Sequence, residues 1–128
     1  MQQGADIGAV FERLSRAAEI IETKARFSQN SHLGFITSCP TNLGTALRAS
    51  VHIHLPLLMK DWEKFEGIAT KYNVQIRGSR GEHSDTSDGI FDISNRRRLG
   101  RSEVDLVQDM YNGVKEMIAA EMALKAAQ

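Results

Sequence analysis

The sequence predicts an α+β fold: a small, largely antiparallel sheet with helices packed on one face. Two observations carry this. Residues 47–55 alternate without a break, with Leu47, Ala49, Val51, Ile53 and Leu55 on one side and Arg48, Ser50, His52 and His54 on the other. Such period-two alternation marks a half-buried strand. Three further segments carry the 3.6-residue apolar period of amphipathic helices, interleaved with short strand-like runs.

The elements follow in the order α-β-β-α-β-β-α. Residues 1–5 are small and polar and should fray. From Asp6, a good N-cap, the stripe Ile7, Val10, Phe11, Leu14, Ala18 and Ile21 predicts the first helix. Residues 28–32 read as a polar loop and 33–38 as the first strand. A tight polar turn over 39–45 leads to the alternating strand. Pro56 stops that ladder and can open a second helix, whose buried stripe would be Leu58, Trp62, Phe65, Ile68 or Ala69, and Tyr72. Asn73 can end it. Residues 74–77 and 90–94 read as short strands. Between them, 78–89 holds no large apolar residue and three glycines, so it is expected to be a mobile loop. Residues 95–100 form a basic turn. Ser102 caps the last helix, with Asp105 as capping-box partner and Val104, Val107, Tyr111, Val114, Ile118 and Met122 as its core stripe.

At 128 residues the chain is expected to form one unit, without internal repeat or linker. Its 16 basic residues balance 16 acidic ones, so bulk charge points to neither nucleic acid nor an anionic membrane. Any anion site must be local. The single cysteine, Cys39, rules out an internal disulfide and suits a reducing, cytoplasmic setting. No apolar run is long enough to span a bilayer, and residues 1–30 lack the apolar centre of a signal peptide.

Alternation collects Arg48, Ser50, His52, Arg77 and Asp92 on the solvent face of the sheet, from three strands. Two arginines on one face beside a polar loop suit a phosphate-bearing ligand, because guanidinium stays charged and matches phosphate oxygens. The competing reading is an ordinary solvated sheet face. Cys39 lies among Ser38, Thr41 and Asn42, whose donors favour a thiolate. A nucleophilic role would need a base, for which His52 or His83 are the candidates. His52 and His54 share a face, but two imidazoles fall short of a zinc site, so no metal is expected on protein ligands. The run Arg96, Arg97, Arg98 reads as a solvated turn. The glycine-rich stretch from Gly78 is not a Walker loop, although its amides could wrap phosphates.

Four motifs resemble the phosphagen (ATP:guanidino) kinases, most closely their arginine kinase branch. They are CPTNLGT at 39–45, RASVH at 48–52, RGSRGEH at 77–83 and GIFDISNRRR at 89–98. The likeness runs colinearly over about 1–124. The resemblance implies that Arg48 and Arg77 clamp the phosphates of ATP. It implies that Arg48, Ala49, Ser50, Val51 and His52 line the nucleotide site, and that Arg77, Gly78, Ser79, Arg80, Gly81 and Glu82 fold over the phosphates. Asp92 would lie beside the nucleoside. Cys39, supported by Thr41, would contact the guanidino group and align it without covalent attack, and Glu82 would pair with the guanidinium. Mg²⁺ would be held mainly by the phosphates. Phosphoryl transfer depends largely on positioning and charge neutralisation, which is the work these residue types do.

The resemblance covers only about the last third of a family member, a C-terminal portion of the catalytic domain. The family's N-terminal helical domain, its acidic segment with the catalytic glutamate and its upstream phosphate-binding arginines have no counterpart in these residues. The expectation is therefore a fragment inactive alone, at most a weak nucleotide binder. Its cut sheet edge would favour a homodimer. Glu82 and His83 match the arginine-specific branch, while residues 102–108 read more like the creatine-specific one. Creatine, taurocyamine, lombricine and glycocyamine stay open as substrates.

Overall fold

The computed structural model describes residues 1–78 and 88–128. Helix α1 spans Ile7–Glu22, and the Asp6 carboxylate caps it by accepting from the Ala9 amide at 3.0 Å. Strands β1 (Gln29–Asn30) and β2 (Gly34–Phe35) pair antiparallel as a two-residue ladder. The long first strand expected over 33–38 therefore shrinks to two residues, and part of the expected loop joins it. Asn30 explains the tight reversal, since its side chain accepts from the His32 and Leu33 amides.

The main sheet holds β3 (Ser50–His54), β4 (Val74–Gly78) and β5 (Ile90–Asn95) in the order β3-β5-β4, antiparallel throughout. Its helices are α2 (Trp62–Lys71) and α3 (Glu103–Ala126). Helix α2 does not open at Pro56. Leu58–Lys60 forms a 3₁₀ turn first, and α2 starts after Asp61, whose side chain accepts from the Lys64 amide. The Glu121 carboxylate on α3 takes the Leu57 and Leu58 amides at 3.0 and 2.6 Å, so the turn's donors are satisfied before the helix begins. Asn73 ends α2 as expected, in the left-handed region at φ 52°.

The core lies between the sheet and these two helices. Phe65 and Phe91 are fully buried, edge to face with centroids 5.0 Å apart, and Leu55, Leu58, Ile93 and Met117 close around them. Each such side chain contributes roughly 1.5–3 kcal/mol on burial.

Helix α3 turns a different face inward from the one expected. Of the expected stripe only Val114 is buried, together with Leu106, Met110, Gly113, Met117 and Ala120, whereas Val104, Tyr111, Ile118 and Met122 are exposed. Small residues explain the rotation. A Cβ at Gly113 would sit 3.2 Å from the Tyr72 Cβ and 3.3 Å from Val74, so α3 reaches the sheet and α2 along the stripe where it is thinnest. Helix α1 also departs from expectation, for none of its residues is buried. Only Ile7 packs against the core.

Candidate functional site

The strand register brings the predicted polar residues together. Across the three strands, His52 faces Asp92 and Asp92 faces Arg77, so one row of the sheet carries an imidazole, a carboxylate and a guanidinium. Alternation in β3 holds as expected: Ser50, His52 and His54 are exposed, while Val51 and Ile53 are half-buried. Arg48 lies just before β3 and reaches the same row. Its Nη2 is 2.5 Å from Asp92 Oδ2, and His52 Nε2 is 3.8 Å from that oxygen. Asp92 is mostly buried, and its Oδ1 has no hydrogen-bond partner among the described residues. Arg77 Nη2 donates to Gln75 Oε1 at 3.2 Å. Ala49 and Val51 pack against the core, so they meet the polar face only through their backbone.

Asn95 fixes the entry to β3. Its Oδ1 accepts from the Ala49 amide at 2.8 Å, and its Nδ2 donates to the Leu47 and Arg97 carbonyls at 3.0 and 2.7 Å. One buried amide thus aligns the Arg48 segment with the basic turn.

Cys39 is exposed on the turn before Pro40–Asn42, a single 3₁₀ turn. Its Sγ lies 3.0 Å from Thr41 Oγ1, and its carbonyl accepts from Thr37 Oγ1 at 2.7 Å. The hydrogen bonds from the Thr41 side chain and amide hold the thiol below its ordinary value, with a further contribution from the charge of Arg98. Gly44 clips this turn to the rest of the site. Its φ is +113°, and a Cβ there would collide with the Arg98 carbonyl and the Leu99 Cα. The Thr45 amide donates to the Arg98 carbonyl at 2.8 Å.

Arg98 corrects the sequence reading. Arg96 and Arg97 are exposed, as a solvated turn requires, but Arg98 is 7% exposed. The chain leaving β5 turns back under the Cys39 turn, which carries this one arginine inward. Burial, then repulsion from Arg48 and Arg77, lowers its affinity for the proton. A run of three like charges gave no sign of which one would be enclosed.

Gly78 is buried at the end of β4. Ser79, Arg80, Gly81, Glu82 and His83, and most of the expected mobile loop, lie outside the described residues. Among the described residues no group of three or more His, Cys, Asp or Glu side chains could hold a metal ion, and no helix is long and apolar enough to cross a membrane.

Residues 1–124 match the ATP:guanido phosphotransferase C-terminal catalytic domain. An arginine kinase of Polybetes pythagoricus is 52% identical over 123 residues, covering 96% of this chain and 34% of that protein. The arginine kinase of Limulus polyphemus is likewise 52% identical, with 96% and 34% covered. Among solved structures, a duplicated taurocyamine kinase of Schistosoma mansoni bearing transition-state-analogue components superposes with a TM-score of 0.91 at 42% identity, covering 95% of this chain and 17% of the other. A lombricine kinase superposes at 0.89, also 42% identical, with 99% and 36% covered. The chain spans about a third of the length of the curated relatives it matches. With fold, motif order and sequence in agreement, the chain belongs to the ATP:guanido phosphotransferase family, in the part that forms its C-terminal catalytic domain.

Proposed function

We propose that the protein carrying this chain is an arginine kinase, moving the γ-phosphoryl group reversibly between MgATP and arginine. One observation carries the reading. Arg48 and Arg77 converge with Asp92 on one row of the polar sheet face, and the Cys39–Thr41 pair sits on the turn that precedes β3. Guanidinium groups can neutralise charge on phosphate oxygens without losing their own proton. A thiol whose ionised form is favoured by Thr41 suits a cationic guanidino substrate. By resemblance, the Ser50 and His52 side chains and the Ala49 and Val51 backbone line the nucleotide, with Asp92 at the nucleoside. Gly78, Ser79, Arg80, Gly81 and Glu82 close over the phosphates, and Glu82 orients the substrate guanidinium. The described residues fit a polyphosphate anion through their clustered arginines. By resemblance, Mg²⁺ is held mainly through the phosphate oxygens. A lone free cysteine fits a cytoplasmic setting. The relatives named arginine kinase favour arginine over the taurocyamine and lombricine of the structural neighbours.

The test is a coupled assay with MgATP against arginine, creatine, taurocyamine, lombricine and glycocyamine, on the longer protein and on the 128-residue chain. Arginine should be the preferred substrate of the longer protein. Arg48→Ala and Arg77→Ala should each lower kcat roughly 10²–10³-fold, the loss seen when a donor to the transition state is removed. Arg97→Ala should change little, because Arg97 is exposed on the turn. The 128-residue chain should show no turnover above background. Loss of activity in Arg97→Ala equal to that in Arg77→Ala would refute the site.

A second reading concerns the chain alone. Among the described residues β3 and β4 pair only with β5, so each has an outer edge with unpaired backbone groups. Self-association as a homodimer follows from that edge, and sedimentation at several concentrations should show it. A single monomeric species at high concentration would remove it.

A further inference from the structure

Asn95, the last residue of β5, is 1% exposed, and its carboxamide makes three hydrogen bonds. Two of the partners bracket Arg48. The Leu47 carbonyl, which accepts from Nδ2, belongs to the peptide plane before the Arg48 Cα. The Ala49 amide, which donates to Oδ1, belongs to the plane after it. One side chain therefore grips both planes, and with them the φ and ψ of Arg48. The ladder does not do this work, because β3 pairs with β5 only from Ser50, opposite Ser94. The Asn95 backbone amide adds a bond to the Ala49 carbonyl at 3.3 Å. The same strand holds the other end of Arg48, whose Nη2 pairs with Asp92. A guanidinium carries five N–H donors, so that pair leaves others for phosphate oxygens. The third bond of the carboxamide ties these planes to the basic turn through the Arg97 carbonyl.

We propose that Asn95 is the positioning residue for Arg48, its carboxamide setting the backbone from which that guanidinium reaches the transferring phosphoryl group. The proposal rests on the kinase reading given above and deepens it, since Asn95 itself touches no substrate. A buried amide with its donors and acceptor engaged is rigid, because any rotation leaves polar groups unpaired in the interior. Phosphoryl transfer depends on placed charge, and a misplacement of about 1 Å can cost 10²-fold in rate. Loosening the Arg48 backbone should therefore lower kcat while leaving the binding of arginine alone.

The experiment is a double-mutant cycle in the longer protein, with MgATP and arginine as substrates. Wild type, Asn95→Ala, Arg48→Ala and the double variant are compared, each shown to be folded by circular dichroism, and amide exchange is followed at Ala49. Asn95→Ala should lower kcat roughly 10–10²-fold, with the KM for arginine unchanged. In the Arg48→Ala background the same substitution should cost no more than about twofold, because the group it positions is gone. The Ala49 amide should exchange faster in Asn95→Ala. The isosteric Asn95→Asp keeps the acceptor for that amide and loses both donated bonds, so it carries the same kinetic cycle where the alanine variant does not fold. A folded Asn95 variant with wild-type kcat overturns the proposal. So does a rate loss equally large with and without Arg48, which marks a purely structural residue. Wild type transferring phosphoryl groups to none of the guanidines overturns the kinase reading, and the part of Asn95 in transfer with it. Faster exchange at Ala49 would then still support the grip on the Arg48 backbone, and unchanged exchange would overturn that too.

Discussion

Residues 1–46 and residues 55–120 build very different amounts of interior. The first segment buries one residue, Gly44. Among the described residues, the second holds the whole buried hydrophobic core, from Leu55 to Ala120. Apolar periodicity does not account for the difference. Helix α1 has an orderly stripe, yet Val10, Leu14 and Ile21 are 40%, 52% and 51% exposed. Helix α3 has a less segregated pattern and buries six residues. Periodicity makes a helix amphipathic, but burial needs an opposing surface, and the sheet and α2 offer theirs to α3. The candidate site spans this divide: Arg77 and Asp92 belong to the second segment, Cys39 to the first, and Arg48 lies in the run that joins them.

The contrast can be broken most forcefully in the core. Phe65→Ala should destabilise the chain by about 3–5 kcal/mol, because it empties the centre of the Phe65–Phe91 contact. Leu14→Ala on α1 should stay within about 0.5 kcal/mol. Urea unfolding of both variants measures the difference, and equal losses would mean that α1 is packed after all.

Gly44→Ala should follow in size, at roughly 1–3 kcal/mol, since the new Cβ meets backbone and the φ of +113° is strained for alanine. Thermal melts give the loss. Alkylation of Cys39 should change in the same variant, because the clip that holds its turn is gone. An unchanged melt would show that the open segment is not fastened there.

The smallest effect concerns the clasp between α2 and α3, where Tyr72 and Lys71 both hold the Glu116 carboxylate, Lys71 at 3.1 Å. The Tyr72 hydroxyl, then Lys71, lowers the proton affinity of Glu116, and the Glu116 hydrogen bond raises that of Lys71. A carboxylate depressed on folding stabilises above its unfolded pKa, and that gain is lost as pH falls through the folded value. For Lys71 the gain is present below its unfolded pKa and lost as pH rises through the folded one. Glu116→Gln should therefore melt slightly below wild type at neutral pH, and the gap should close in acid. A gap that widened in acid would contradict the assignment.

Much of this architecture was legible in the sequence. Alternation over 47–55 gave the half-buried strand and its polar face, and Asp6 and Ser102 gave the caps of α1 and α3. The face of α3 was not legible, because Val104, Tyr111, Ile118 and Met122 repeat with helical spacing as well as the buried set does. Gly113 and Ala120 were the available signal: small residues mark where a helix can come close. At the site, alternation collected Arg48, His52, Arg77 and Asp92, but Arg98 escaped it. Its backbone packs against Gly44, far away in the chain, and local pattern carries no such information.

The strand order β3-β5-β4 also sets the timing of synthesis. The outer strands do not touch each other, and the strand that joins them is made last of the three. Arg48 and Asp92 meet across 44 residues. While the ribosome is still adding residues before Ile90, β3 and β4 have no partner in the sheet; β5 can then pair with its chain neighbour β4, whereas β3 must be drawn in from far along the chain. The β3–β5 pairing is the non-local step, and closing so long a loop makes assembly slow relative to a helical bundle of this size. The emerging chain therefore spends its most adhesive interval with two bare strands and half a core, waiting for six residues to arrive.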